Sequence, residues 1–375
     1  MAKNTTIFTL LQNFISQEEL TDILTEFGFE DTARKCDVPT LLRYLVGAAT
    51  FEWKSLRHAA DVAPAQGLQP VDYSTLSKRL GELNYQIVKR ILEVIVGRLN
   101  RATRRKLKVK KDILAMDSTT ITVGKNRLPW ALYHGERSGI KLHVSFTNAT
   151  GMPLQVVETT GLRHDGPIGE QLEDKRFILV ADRAYFALDK VDRYAQTGQD
   201  FVIRLKENIQ LNRKKSLKRT MANDSNILAD FTCTLGTAQK QTKKRHRVVE
   251  FIDYEGALVR VVTNLRHVTA EDIAAMYKER WAIESFFRWI KQNLNVPVLF
   301  GTTPNAVFSQ LFAALIAYVL LKFLHARINR KSDVKSLSFA GFTRLFLWQA
   351  LDQQWQTYVE EILTSARFIY QESDT

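Results

Sequence analysis

The chain has 375 residues, more than one compact core usually holds, and its 45% hydrophobic and 25% charged residues exclude a disordered or fibrous protein. The 53 Lys and Arg residues outnumber 40 Asp and Glu, and the net charge of +13 favours a polyanionic partner, nucleic acid before a membrane surface. Two distant cysteines can form neither a disulfide framework nor a zinc finger, and the first residues lack a signal peptide's apolar segment. We therefore expect a cytoplasmic protein associated with the nucleoid.

Residues 1–106 are predicted to form a helical domain, because their apolar side chains recur at three- and four-residue spacing. Within it, Ser55–Ala60 and Tyr73–Leu83 read as two helices around a turn at Pro64–Pro70. This outline is that of a DNA-binding helix-turn-helix or of an ordinary helical hairpin. In the first case the DNA contacts expected on the outer face of the second helix are Ser77, Lys78 and Arg79.

A run of seven cations without an acidic residue follows between positions 101 and 111. Such a run either forms a solvated surface or is a hinge between domains whose cations contact the phosphate backbone of DNA. The candidate DNA contacts in it are Arg104, Arg105, Lys106 and Lys108.

The pattern then changes to short apolar and β-branched runs, which predict strands and therefore an α/β fold. The runs are 113–116, 142–146, 153–157, 177–181 and 201–204. Asn148–Gly151 is typical of a hairpin turn, and the continuously apolar run 177–181 predicts a strand covered on both faces. A helix is expected over 185–197, and residues 107–205 form the first part of the predicted core.

Residues 206–268 combine basic clusters with further strand-like runs, which indicates an inserted β-rich module. Helices are predicted over Thr269–Leu294 and from Thr303 to about Phe323, within a second part of the core at 269–328. The purely apolar stretch 311–321 is too short to span a bilayer, so we expect a core helix and no membrane. Residues 329–375 are expected to be helical and to help assemble a dimer.

Four polar residues of the Thr269–Leu294 helix fall on one face, at the boundary of its apolar arc. They are Tyr277, Arg280, Glu284 and Lys291. This stripe is either a set of solvated side chains or part of a cleft.

Asp117 and Asp182 each directly follow an apolar run that is predicted to be a strand. In α/β sheets, ligands bind beyond the carboxyl ends of the strands. Either one alone is typical of a turn or a helix cap. Together with Glu284 they would need cations to remain ionised, and hard oxygen ligands select Mg²⁺ or Mn²⁺. Two such ions serve phosphoryl transfer on nucleic acid.

The segment YKERWAIESFFRWIK contains the spacing Y-x2-R-x3-E-x6-K. On this motif the chain resembles the DDE transposases of bacterial insertion sequences, in the group that the signature defines (the insertion sequence family four type). The segments MDSTT around Asp117 and ADRAYF around Asp182 are similar to the family's other two acidic motifs. The resemblance covers residues 111–323.

The resemblance implies a ribonuclease H-like core interrupted by a β-rich insertion. It implies that Asp117, Asp182 and Glu284 are catalytic and bind two metal ions, and that Tyr277, Arg280 and Lys291 contact the DNA backbone. Family members cut their element from flanking double-stranded DNA and join its 3′ ends to a target, which favours a homodimer on DNA. The inserted module contains no Trp, so Trp281 is the aromatic candidate for wedging or stacking against a base.

Several further residues have two interpretations. Arg204 and Lys206 hold phosphates or are solvated residues at a strand end. Lys141 and His143 reach the cleft or are structural, and His164–Asp165 is a polar cap or a DNA contact. Two rival functions also fit the sequence: a catalytically inactive protein that occupies element ends, and a metal-dependent nuclease without strand transfer.

Overall fold

The computed structural model describes residues 6–106, 111–217, 225–296 and 298–365, without the side chains of 101–106. The backbone places Arg104, Arg105 and Lys106 at the end of a helix, and Lys108 lies outside the described residues. The chain divides into two compact units. The first comprises Met1–Thr103, Val123–Trp130 and Phe287–Thr375, and the second comprises Arg104–Thr122 and Ala131–Phe286.

The helices in the described part of the chain are α1 (Thr6–Phe14), α2 (Gln17–Glu26), α3 (Val38–Thr50), α4 (Leu56–Val62), α5 (Tyr73–Glu82), α6 (Tyr85–Lys106), α7 (Asp165–Gly169), α8 (Leu188–Thr197), α9 (Ala270–Glu279), α10 (Trp281–Asn293), α11 (Pro304–Ile328), α12 (Phe339–Leu347) and α13 (Gln353–Ser365). The strands are β1 (Ile113–Gly124), β2 (Arg137–Thr147), β3 (Met152–Thr160), β4 (Ile178–Ala181), β5 (Phe201–Arg204), β6 (Leu211–Ser216), β7 (Ile227–Leu235), β8 (His246–Ile252) and β9 (Leu258–Thr263).

The first unit is helical and is built around α11. Thr303 caps this helix through the N–H of Ala306, and Pro304 occupies its first turn, as the sequence predicted. The helix continues beyond the predicted end to Ile328, because Leu324 and Ile328 are also buried. It is long and apolar enough to cross a membrane, but 94% of its most apolar window is buried inside the protein. Helices from both ends of the chain pack on it, namely α1, α3, α5, α12 and α13.

Two short helices, α4 and α5, confirm the predicted helix-turn-helix outline. Asp72 begins α5 by accepting hydrogen bonds from the N–H groups of Ser74 and Thr75. On this helix Ser77 and Lys78 are exposed, as predicted. The prediction that Arg79 also points outward is wrong.

Arg79 is instead held inside the first unit. Its guanidinium lies 2.6 Å from Asp31 Oδ1 and donates to the Cys36 carbonyl at 3.0 Å. Its side chain is only 13% exposed. The carboxylate of Asp31 lies in a preceding loop, and such a partner across the fold is invisible to helix periodicity.

The second unit is built on one nine-stranded sheet in the order β3-β2-β1-β4-β5-β9-β8-β7-β6. Strand β4 is parallel to β1 and to β5, whereas β3 is antiparallel to β2 across the predicted Asn148–Gly151 turn. Both faces of the central strands are covered, as the apolar run 177–181 predicted. One face packs with Tyr194 of α8 and the other with Ile273 and Ala274 of α9.

The four strands within 206–268 continue this same sheet. They begin at β9, which pairs antiparallel with β5 through Val202, Ile203 and Arg204. Strands β8, β7 and β6 then follow as antiparallel neighbours. The predicted strand-rich character of this segment is confirmed, and its strands extend the central sheet.

Candidate functional site

The register of β1 and β4 brings Asp117 and Asp182 to one face of the sheet. The last pair of these parallel strands is Met116 with Ala181, and the two aspartates follow directly. Side chains alternate along a strand, so Asp117 lies on the face of Ile113, and Asp182 lies on the face of Val180. Both of these apolar residues pack against α9. The two carboxylates therefore lie on the sheet face that carries the Glu284 segment.

The helix that was predicted to run unbroken over Thr269–Leu294 is two helices. Helix α9 ends at Glu279, Arg280 is the junction residue, and α10 begins at Trp281. Asn148 of the β2–β3 turn donates to the carbonyl of Glu279 at 2.9 Å, which holds this end of α9 against the sheet. Because the axis is interrupted, Tyr277 and Glu284 do not lie on one continuous helix face.

Arg280 bridges two of the three acidic residues. Its Nη1 lies 2.6 Å from Glu284 Oε1 and 3.4 Å from Asp117 Oδ2. The Arg280 side chain is only 8% exposed, and its guanidinium lies 5.6 Å from the centre of the Tyr277 ring. A buried cation thus neutralises carboxylates that are 23% and 30% exposed.

The environment of Asp117 opposes its ionisation. Burial, with the charges of Glu284 and Asp182 adding to it, raises the pKa of Asp117 to about 6. The N–H of Ser118, which donates to Oδ1 at 2.8 Å, and the charge of Arg280 lower the pKa and only partly offset this effect. Three acidic groups that repel one another inside a protein form a site suited to a cation.

The chemistry of the donors present here suits a divalent ion. Within the described part of the chain, Asp182 Oδ1 is buried without a hydrogen-bond partner, which is an oxygen available to a ligand. Carboxylate oxygens are the ligands that Mg²⁺ and Mn²⁺ prefer. Among the described residues no three His, Cys, Asp or Glu side chains are grouped closely enough to hold an ion. In this arrangement Arg280 provides the positive charge between Asp117 and Glu284.

Tyr277 does not lie at the edge of a cleft, contrary to the predicted stripe. It is 5% exposed and packs against Phe251 of β8, with 6.3 Å between ring centroids. Burial raises the pKa of its hydroxyl. The offset from Glu284 suggested a shared polar face, but Tyr277 follows Ile273 and Ala274 at helical spacing and therefore lies on the side of α9 that packs on the sheet.

Other predicted residues lie where the strand and helix ends place them. Arg204 ends β5 on the same face as Asp182, one strand further along the sheet, and Lys206 is exposed just beyond it. Trp281 is exposed and contacts the exposed ring of Tyr254 at 5.6 Å. Lys291 lies in the last turn of α10. Within the first unit, Ser77 and Lys78 lie on the exposed side of α5.

Sequence reasoning missed two features of the site. Tyr254, in the turn between β8 and β9, has no motif around it, and only the sheet brings it to Trp281. Ser118 lies within the MDSTT segment, but its side chain contacts Asp165, 47 positions away. The polar pair His164–Asp165 was the sequence signal that could have indicated the contact between Ser118 and Asp165.

The chain is similar in sequence to known transposases. The model of the transposase DDE domain matches residues 108–320. The chain is 51% identical over 370 residues to a probable transposase for insertion sequence element IS5377 of Geobacillus stearothermophilus, covering 99% of this chain and 98% of that protein. It is 30% identical over 306 residues to the putative transposase y4zB of Sinorhizobium fredii, covering 78% and 84%. Among solved structures, a piggyBac transposase synaptic complex with hairpin DNA is similar with a TM-score of 0.48 and 12% identity, covering 95% of this chain and 84% of that one.

Proposed function

The chain belongs to the DDE transposase family, and on that premise we propose that it is the transposase of an insertion sequence. It binds the terminal inverted repeats of the element, cleaves the DNA at its ends and joins the 3′ ends to target DNA. The observation that carries this proposal is that Asp117 and Asp182 follow adjacent strands on one sheet face, where Arg280 joins Asp117 to Glu284.

We propose that the second unit contains a ribonuclease H-like core. Support comes from the order β3-β2-β1-β4-β5 of its first strands, with β1, β4 and β5 parallel. The spacing of Tyr277, Arg280, Glu284 and Lys291 supports placement in the group defined by Y-x2-R-x3-E-x6-K. In this proposal, strands β6–β9 are the β-rich insertion.

Asp117, Asp182 and Glu284 are proposed to hold Mg²⁺ or Mn²⁺, with two ions per site. When bound, such ions activate an attacking oxygen and stabilise a leaving oxygen at a phosphodiester. The free oxygen of Asp182 favours occupation by a cation, and so does the environment of Asp117, where burial and, to a smaller extent, the charges of Glu284 and Asp182 raise its pKa.

Arg280 is proposed to hold the scissile phosphate. A guanidinium has five N–H donors, and its described contacts with Asp117 and Glu284 engage Nη1 alone. The remaining donors can bind a phosphate in the bidentate manner that fixes its direction. Tyr277 acts through Arg280, because its buried ring supports the guanidinium from the core side.

The rest of the DNA interface follows from charge and exposure. Arg204, Lys206 and Lys291 are proposed to contact the backbone, and Trp281 a base. Residues 1–106 are proposed to recognise the element ends through Ser77 and Lys78. The basic run is proposed to follow the phosphates through Arg104, Arg105, Lys106 and Lys108. Residues 329–375 are proposed to help assemble a homodimer on two ends in the cytoplasm.

The test uses a labelled duplex that carries one end of the element, a supercoiled plasmid as target, and Mg²⁺. We expect cleavage at the end and transfer of the label to the plasmid. Asp117→Asn, Asp182→Asn and Glu284→Gln should abolish both products while retaining DNA binding, because each removes a ligand charge and little packing. Glu207→Gln is the matched control, since Glu207 is an 83% exposed carboxylate of the same unit.

The outcomes separate this proposal from its rivals. Cleavage without joined product would indicate a nuclease. End binding without cleavage would indicate an inactive occupant of the element ends. Substantial Mg²⁺-dependent cleavage by a folded Glu284→Gln variant would remove Glu284 from the site.

A further inference from the structure

A second polar cluster lies on the opposite side of β1 from the three acidic residues. Ser118 follows Asp117 and projects to the other face, where its Oγ donates to Asp165 Oδ1 at 2.8 Å. Lys141 Nζ lies 3.4 Å from the same Asp165 oxygen, and His143 Nδ1 lies 3.2 Å from it. One carboxylate oxygen thus meets a hydroxyl, an ammonium and an imidazole.

The members of this cluster are fixed by further contacts. Lys141 Nζ donates to the carbonyl of Arg163 at 3.0 Å, and His143 Nε2 is 2.9 Å from Thr159 Oγ1. His143 is fully buried, and the side chains of Lys141 and Asp165 are 13% and 21% exposed. Burial would raise the pKa of Asp165, but its contacts with His143, Ser118 and Lys141 lower the pKa to about 2. Asp165 is therefore an ionised acceptor held in one place.

The cluster reaches Asp117 through a single residue. The same Ser118 whose hydroxyl binds Asp165 donates its backbone N–H to Asp117 Oδ1 at 2.8 Å. Because the Ser118 hydroxyl is held by Asp165 on one face of the sheet, the peptide bond between Asp117 and Ser118 is restricted in its rotation. The orientation of the Asp117 carboxylate consequently depends on a contact that lies behind the strand.

We propose that Asp165 and Ser118 are positioning residues of the reaction, which fix the Asp117 carboxylate for binding a divalent ion. Lys141 and His143 hold Asp165 in place. This inference rests on the proposed metal-dependent function, and it adds an outer layer of residues to the three acidic ones. Groups that orient a ligand in this way typically change metal affinity or activity by about 10–100-fold when they are removed.

The experiment compares Ser118→Ala and Asp165→Asn with the wild-type protein. Mn²⁺ affinity is measured by calorimetry in the absence of DNA, and single-turnover cleavage is followed over a range of Mn²⁺ concentrations. We expect both variants to bind Mn²⁺ about 10-fold more weakly or worse. Their cleavage should fall by a similar factor at limiting Mn²⁺ and recover as the Mn²⁺ concentration is raised.

Asp192→Asn is the matched control. Asp192 of α8 is also a carboxylate bound to a buried histidine, His246 at 2.8 Å, within the same unit. This variant should lose stability without a change in Mn²⁺ affinity. If the contacts of Asp165 serve only the fold, its variant will behave like Asp192→Asn.

The outcomes are distinguishable from failure of the proposed function. Unchanged Mn²⁺ affinity in folded Ser118→Ala and Asp165→Asn, beside an active wild-type protein, overturns the inference alone. Absence of Mn²⁺ binding and cleavage in the wild-type protein overturns the proposed function and the inference together. If one variant fails to fold, the other decides, because Ser118→Ala removes the donor of the 2.8 Å contact and Asp165→Asn weakens it by removing the charge of the acceptor.

Discussion

Asp117→Asn should make the metal-free protein more stable at neutral pH while abolishing cleavage. The pKa of Asp117 is about 6 in the folded protein, against an ordinary value of 3.8. The carboxyl side chain is 23% exposed, so solvent screens it little. At about 1.4 kcal/mol per pH unit, the difference of roughly two units means that ionised Asp117 destabilises the fold by ~3 kcal/mol.

The sign follows from proton binding. Between pH 3.8 and about 6 the folded protein binds more protons at Asp117 than the unfolded chain does, so stability falls as pH rises through this window. The destabilisation by ionised Asp117 is absent below pH 3.8 and complete above about pH 6. Asparagine has nearly the shape of the neutral carboxyl group and carries no charge, so the variant escapes this effect.

The assay is urea unfolding of both proteins with a metal chelator, from pH 4 to pH 8. The stability advantage of Asp117→Asn should grow by most of the ~3 kcal/mol over this range, because it mirrors the titration of Asp117. Asp189→Asn, at an exposed position in the first turn of α8, should show no such growth. Adding Mn²⁺ should stabilise the wild-type protein selectively. An advantage that is constant or that shrinks with pH would refute the reasoning.

Three further predictions concern single contacts. Arg280→Ala should slow single-turnover cleavage by about 100-fold or more, since a displaced phosphate loses its alignment, and unimpaired cleavage would remove Arg280 from the site. Lys78→Ala should lower the salt dependence of binding to the element end by the equivalent of about one phosphate contact. Arg79→Ala should instead lower the unfolding temperature, because Arg79 is paired with Asp31. Asp230→Ala should destabilise the protein by about 3–5 kcal/mol in urea unfolding, because it leaves the fully buried Arg247 unpaired, and a loss below about 1 kcal/mol would contradict this.

Local patterns in the sequence determined most of the helices and strands, and they singled out Asp117, Asp182 and Glu284 as candidates. A capping threonine and a proline begin α11, and a continuously apolar run forms β4 with both faces covered. Turn chemistry at Asn148–Gly151 fixed the β2–β3 hairpin, where Gly151 has a φ of 64°. Each of these features depends on residues close in the chain, so periodicity and turn propensity are sufficient to find it.

Only the tertiary structure decided which polar groups meet. The packing of α9 on the sheet buried Tyr277, and the fold of the first unit brought Asp31 to Arg79. Sheet pairing extended the core with β9 and placed Asp165 behind Asp117 through Ser118. These outcomes depend on charges and hydrogen-bond partners that are distant in sequence. A buried polar group must find its partner wherever the fold supplies one, and a local pattern does not encode that place.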